Sequence, residues 1–326
     1  MKFFTSYLSI FCFIFALSFG VGCDSTSKRR HVSIGTAPIG GAFAPVGNAI
    51  ADVVGRNISE KNWEVAATST KGTQENIRLL VSKDGEIEFA LANAAISYFA
   101  VRGEGAWKTK HPIASVMTLA PNVGIFVTPK STSIRSIADL KGKRVVVGPA
   151  GAGFEYFLRP ILEAHGVTYD DFSDLNDTYS GAVDLLANGS AEAAFMGGAI
   201  PTPAVKQATA TQDIIFIPFD ETAKHSLVEQ YPFFHPITIP AAAYENVLTE
   251  PFETMNVGSM HIITAENADE DMVYNFAKTL YEHRAEVVKA HPAGKAINEK
   301  NAAKDVGTPF HPGAIRFYKE IGIWPE

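Results

Sequence analysis

The chain repeats one local pattern, a short apolar run that breaks into a glycine loop and then into an amphipathic stretch, and this pattern leaves few folds open. Val32-Ser33-Ile34 runs into Gly35, and after residues 38–41 the apolar side chains of Val46, Ala49, Ile50, Val53 and Val54 recur at steps of three and four. That spacing puts them on one face of a helix. Residues 63–67 read as a second strand, Thr70-Lys71-Gly72-Thr73 as a loop, and Ile77, Leu80 and Val81 as the apolar face of a second helix. The unit returns in Val145-Val146-Val147, the loop 148–153, and a helix with Phe154, Phe157, Leu158, Ile161 and Leu162 on one side before Gly166 ends it. Strands that alternate with helices in this way build a largely parallel sheet, so the expected fold class is α/β.

A weaker echo suggests two comparable lobes. Leu79-Leu80 followed by Gly85, Glu88, Phe89 and Asn93 is similar to Leu185-Leu186 followed by Gly189, Glu192, Phe195 and Gly197. Each reads as helix end, turn, strand and polar loop. A chain of 326 residues has room for about two domains of ordinary size. Two such lobes would aim strand ends and helix N-termini at a common cleft, where ligands bind in open α/β sheets. The last third reads differently, with a strand over 260–264, a long helical stretch over 269–290 and a last helix near 314–321, which would brace the lobes.

Charge and cysteine usage narrow the setting. Lys and Arg number 28 against 35 Asp and Glu, a net charge of −7, so no basic field exists to attract nucleic acid. Both cysteines, Cys12 and Cys23, precede the repeated units, which therefore hold no intramolecular disulfide and no thiolate metal site. Met1-Lys2 and an uncharged apolar run over 3–21 have the form of an export signal. Ser18-Phe19-Gly20-Val21-Gly22 sets small residues before Cys23, as lipoprotein signal peptidase requires. The expectation is a signal peptide over 1–22 and a lipidated tether over 23–30, with Cys23 carrying the lipid. Gly20 stands where Leu is commonest, so a plainly cleaved signal or a retained anchor stays open. Either export route places the body in the periplasm or on the outer face of the cytoplasmic membrane.

The remainder carries no recognisable catalytic motif. Gly148-Pro149-Ala150-Gly151-Ala152-Gly153 has the glycine spacing of a phosphate loop, but Phe154-Glu155 follow where Lys and Ser or Thr are needed. No Gly-x-Ser-x-Gly elbow and no His-Glu-x-x-His pair occurs. His261, in a strand, and His311, in a proline-flanked turn, read as hydrogen-bonded structural residues. The expectation is a protein that is not an enzyme and uses no metal and no cofactor. What remains are the small-residue loops at 39–43, 70–73 and 148–154, suited to holding an anion with backbone N–H groups at helix starts.

These loops are where the chain resembles a known family, the TAXI-type solute-binding proteins of TRAP (tripartite ATP-independent periplasmic) transporters. The matching stretches are Ile34-Gly35-Thr36 with Gly40-Gly41-Ala42-Phe43-Ala44-Pro45, Thr70-Lys71-Gly72-Thr73 with Glu75-Asn76-Ile77, and Asp139-Leu140-Lys141-Gly142-Lys143-Arg144-Val145 leading to Gly148. Gly197-Gly198-Ala199-Ile200-Pro201, Ile239-Pro240 with Tyr244, and Pro309-Phe310-His311-Pro312-Gly313-Ala314 with Tyr318 and Glu320 complete the series. The resemblance covers about residues 31–321 in the family's order. It implies a two-lobed, type II periplasmic-binding-protein fold with the ligand cleft between the lobes. Lobe 1 would span 31–125 and lobe 2 would span 126–258, with 259–326 bracing the lobes and completing lobe 1.

The function so implied is capture of a small organic anion, a glutamate-like or keto-acid carboxylate, and its delivery by a monomer to TRAP membrane subunits. A periplasmic ligand sensor is the alternative, and less so an exported enzyme on the same fold. The positions matching the family's cleft loops are Gly41, Ala42, Phe43, Thr70, Thr73, Asn93, Gly151, Ala152, Gly153, Phe154 and Gly198, with Lys71 beside them. Three departures bear on the ligand. Thr70-Lys71-Gly72-Thr73 replaces Thr-Gly-Gly-Ser and adds a cation; Gly151-Ala152-Gly153-Phe154 replaces Gly-Ser-Gly-Thr and trades hydroxyls for a ring; Asn93 and Ala95 stand where Gln and Asp are usual. A monocarboxylate or amphipathic acid is expected, one end on backbone N–H groups, Thr70 and Thr73, the apolar part against Phe43 and Phe154.

Overall fold

The structure is a computed structural model and describes residues 29–58, 62–83 and 85–325. The expected signal peptide, Cys23 and most of the tether lie outside the described residues.

The chain opens with β1 (Arg30–Gly35), α1 (Phe43–Asn57), β2 (Trp63–Thr68), α2 (Thr73–Leu80), β3 (Phe89–Asn93), α3 (Ala94–Arg102) and β4 (Ile113–Thr118). A short β5 (Val123–Gly124) leads into β6 (Phe126–Pro129), β7 (Arg144–Val146), α4 (Glu155–Ala164), β8 (Ser173–Leu175), α5 (Tyr179–Ala187), β9 (Ala193–Phe195), α6 (Pro203–Thr211) and β10 (Ile214–Ile217). Then come α7 (Glu221–Gln230), β11 (Phe234–Ile239), β12 (Phe252–Val257) and β13 (Met260–Ala265), followed by α8 (Glu270–Glu282), α9 (Arg284–Ala290) and α10 (Pro312–Glu320).

The strands form two five-stranded sheets of the same plan. One runs β2-β1-β3-β13-β4 and the other β8-β7-β9-β6-β10. In each, the first three strands are parallel and the fourth is antiparallel to its neighbours on both sides. The echo between Phe89 and Phe195 has this meaning, because β3 and β9 hold equivalent places. Gly85 and Gly189 both take positive φ in the turns before those strands (56° and 74°). A three-stranded sheet, β11-β12-β5, stands between the two, and with it the fold is two-lobed.

Burial follows from helices on both faces of each sheet. All of β3 is buried: Ala90 and Ala92 belong to one core cluster while Phe89 and Leu91 belong to another on the opposite face. Phe89 stacks on Phe276 of α8 with ring centroids 3.9 Å apart. The strands β1, β2 and β7 lie where the apolar runs predict, with Val147 just beyond β7. The helical stretch 269–290 is two helices, because His283 leaves the α region at φ −101°, ψ 14° and ends α8. His311 is structural, as expected: its Nδ1 accepts from Gly313 N (3.1 Å), capping α10, and its Nε2 donates to the Ala268 carbonyl (3.1 Å).

The chain crosses between the large sheets after β4 and returns between β12 and β13. The crossings are bound to one another, since β5 and β12 pair antiparallel with Met255 opposite Gly124 and Asn256 opposite Val123. Asn93 ties α3 to the return crossing. Its side-chain oxygen accepts from Ala95 N (2.8 Å) and its Nδ2 donates to the carbonyls of Val257 (3.1 Å) and Gly258 (3.0 Å).

Candidate ligand-binding cleft

The loops that follow β1, β2 and β7 meet at the carboxyl ends of their strands, with a cavity of about 50 Å³ between them. From the first loop and the start of α1 come Ala37, Pro38, Gly41, Ala42 and Phe43, with Ile39 at the mouth, 80% exposed. Lys71, Gly72 and Thr73 contribute the start of α2. The facing side supplies Pro149, Phe154, Phe157, Tyr179 and Gly197, and Asn93 and Asn122 close the base.

Of the residues expected from the sequence, Gly41, Ala42, Phe43, Lys71, Thr73, Asn93 and Phe154 line this cavity. Thr70, Gly151, Ala152, Gly153 and Gly198 do not, and each has another contact. The Thr70 hydroxyl lies 2.9 Å from the Thr36 carbonyl and 2.7 Å from Asn76 Oδ1, and its oxygen accepts from Gly72 N (3.1 Å). Asn76 in turn donates to the Thr36 and Leu91 carbonyls, both at 2.8 Å, so Thr70 belongs to a network that shapes the loop. The Ala152 carbonyl accepts from Gln74 N (3.1 Å), joining the loop after β7 to the first turn of α2. Gly153, at φ 91°, holds a conformation that strains other residues, and a Cβ there would lie tightly, 3.1 Å from Gln74 Cβ and 3.2 Å from Ile96. Gly198 exchanges backbone bonds with Val123 (2.9 and 3.0 Å), and Gly151 lies against the Lys71 stem.

A second backbone bond crosses the cleft on its other side, from Ala204 N at the start of α6 to the Gly40 carbonyl (3.0 Å). An aromatic contact adds to these, with Tyr156 of α4 5.6 Å from Phe99 and 5.7 Å from Trp107. The Phe154 ring packs at 5.2 Å from Phe157 and 5.8 Å from Tyr179. It lies over the α-carbon of Gly148, whose φ is 99°; a Cβ there would be 2.3 Å from the ring. Only glycine permits both the conformation and the approach.

The polar groups facing the cavity are mostly donors. Thr73 Oγ1 accepts from Asn93 N (3.0 Å) and keeps its own proton to give. Tyr179 OH accepts from Gly197 N (2.8 Å) and likewise keeps its proton, which burial holds in place by pushing the phenol pKa up. Lys71 brings an ammonium that makes no ion pair with any described residue. None of the lining residues is Asp or Glu. Such a lining attracts negative charge and offers it hydrogen bonds, while Pro38, Ala42, Phe43, Phe154 and Phe157 present an apolar wall. Asn122 and Tyr179 escaped the sequence reading. Asn122 sits in an unremarked Ala-Pro-Asn-Val stretch and Tyr179 in a helix start, and neither adjoins a glycine loop.

Comparisons with known proteins agree with this frame. The sequence profile of the NMT1-like family matches residues 34–322. A binding-protein component of an ABC phosphonate transporter from Pseudomonas aeruginosa superposes with a TM-score of 0.56 at 10% identity, over 81% of this chain and 79% of that one. A structure described as a periplasmic transporter gives 0.54 at 13%, over 91% and 94%. A protein from Bordetella bronchiseptica RB50 gives 0.54 at 14%, over 90% and 89%. At such identities the likeness is one of fold, and the fold is that of the two-lobed periplasmic binding proteins. By the profile match along most of its length, the chain belongs to the NMT1-like family.

Proposed function

We propose that this protein is an extracytoplasmic solute-binding protein that captures a small organic anion, a carboxylate, between its lobes and delivers it to the membrane subunits of a TRAP transporter. The observation that carries the reading is the cleft itself: a cavity rich in donors and free of Asp and Glu, flanked on two sides by backbone hydrogen bonds between facing loops. Hinge closure around a solute is how this fold works in transport. The lining offers no Asp, Glu, His, Ser or Cys side chain for acid–base or nucleophilic work, which favours binding over catalysis. The two lobes are proposed to divide near residues 125 and 258, at the paired crossings. The TRAP assignment rests on the sequence motifs, above all the glycine loop at 40–45, the Gly-Gly-x-x-Pro turn at 197–201 and the His-Pro-Gly-Ala start of α10.

Native mass spectrometry of the purified protein is expected to find a small acid released unchanged; a neutral sugar or a converted product would refute the reading. Lys71→Met is expected to weaken that acid about tenfold without altering the melting temperature, since Lys71 is exposed and makes no ion pair with a described residue. In vesicles carrying the membrane subunits, uptake should need this protein and an ion gradient. Uptake driven by ATP hydrolysis instead would overturn the TRAP assignment and leave solute binding intact.

A further inference from the structure

One neutral polar side chain lining the cavity, that of Asn122, has no hydrogen-bond partner among the described residues. Asn122 is only 7% exposed and lines the cavity. Its backbone is fully engaged with the return crossing, N–H to Asn256 Oδ1 (3.0 Å) and carbonyl from Val257 N (2.8 Å). Its carboxamide bonds to no described residue, in contrast to Asn93, whose amide and oxygen are both spent. The residue is largely buried, yet its carboxamide atoms keep access to the cavity, so an occupant that supplies a complementary group takes up hydrogen bonds that water would otherwise make.

The charges around it limit what that occupant is. Lys71 is the one charged side chain among the lining residues, so one negative charge is matched and a second is not. An ammonium would enter without any lining carboxylate to balance it, at a high desolvation cost. The cavity is small, about 50 Å³, which favours a small solute. Thr73 and Tyr179 have their oxygens occupied and offer protons, whereas Asn122 offers both an unoccupied carbonyl and an unoccupied NH₂.

We propose that Asn122 is the specificity-determining residue of this cleft, and that it selects a small monoanion bearing a neutral hydrogen-bonding group, a hydroxyl, oxo or amide, beside the charged one. The inference rests on the carboxylate reading above and deepens it. Because the Asn122 backbone joins the outgoing and returning crossings, a solute held by its carboxamide is fastened directly to the segment about which the lobes turn.

The test is calorimetric titration of the exported body with acids that differ at one carbon: butanoate, 2-hydroxybutanoate, 2-oxobutanoate and 2-aminobutanoate, with succinate as the dianion. The hydroxy and oxo acids should bind about tenfold more tightly than butanoate, and the amino acid and succinate more weakly than either. Asn122→Leu should erase the tenfold advantage, so that butanoate and 2-hydroxybutanoate bind alike. Asn122→Ser makes less demand on space and reports the same selectivity if the leucine variant does not fold. Equal binding of butanoate and 2-hydroxybutanoate, or an advantage that survives both substitutions, overturns the role of Asn122 and leaves the carboxylate reading standing. Failure of every acid to bind overturns the carboxylate reading itself.

Discussion

His261 gives the sharpest prediction for the scaffold, because its surroundings set both the sign and the size of an effect. The ring is fully buried in β13, with Nδ1 3.3 Å from Ser115 Oγ and Nε2 2.9 Å from Ser97 Oγ, and both serines are buried as well. Two hydroxyls satisfy a neutral imidazole but supply no counter-charge, so burial lowers the pKa from 6.5 to about 3. The folded state therefore refuses a proton that the unfolded chain accepts. Stability owed to this group is complete above pH 6.5 and drains away as pH falls toward 3. The whole interval corresponds to about 5 kcal/mol at 1.36 kcal/mol per unit, and between pH 7 and pH 5 to about 2 kcal/mol.

Urea unfolding of the wild type and of His261→Gln at pH 7 and pH 5 measures it directly. His111, His165, His235, His291 and His311, whose pKa values burial also lowers, remain in both proteins and cancel. The variant should lose about 2 kcal/mol less than the wild type over that interval. Equal pH dependence would refute the argument, and so would a His261 ring proton whose NMR shift titrates between pH 7 and pH 5 in the native protein.

Two further outcomes follow from glycine and alanine packing. Gly148→Ala should cost at least about 1–2 kcal/mol in backbone strain alone, with more from displacing the Phe154 ring, against which the new Cβ would lie at 2.3 Å; an unchanged urea midpoint would be inconsistent with this geometry. Ala152→Leu should wedge the cleft open, because Ala152 faces Gly72 so closely that a Cβ on the glycine would lie 3.4 Å from that of the alanine. Small-angle scattering should then show a larger radius of gyration, and an unaltered profile would count against the contact of this loop with α2 holding the two sides together.

Much of the frame could be read from apolar periodicity, and the reason is physical. In β1, β2 and β7 the strand, its glycine loop and the next helix are contiguous in sequence, so local pattern and tertiary role coincide. The candidate site was legible to the same extent, for Gly41, Ala42, Phe43, Lys71, Thr73 and Phe154 all border those loops. Thr70 illustrates the limit, because a hydroxyl next to a turn has backbone and side-chain partners of its own to bind. Asn122 illustrates the opposite limit. Its place in the cavity arises where two distant crossings pair, and no spacing in the sequence announces that β5 will lie against β12.

The position of β13 has a consequence for how the molecule comes into being. The sheet that begins with β1 keeps a gap between β3 and β4 until a strand from residues 260–265 fills it, whereas the other sheet is complete by residue 217. A chain emerging amino end first thus finishes its second half before its first. Pairing across so long a stretch of sequence is slow relative to local contacts. The early strands stay half assembled until the last of the described strands arrives, and that long-range insertion is expected to be slow beside the local contacts that precede it.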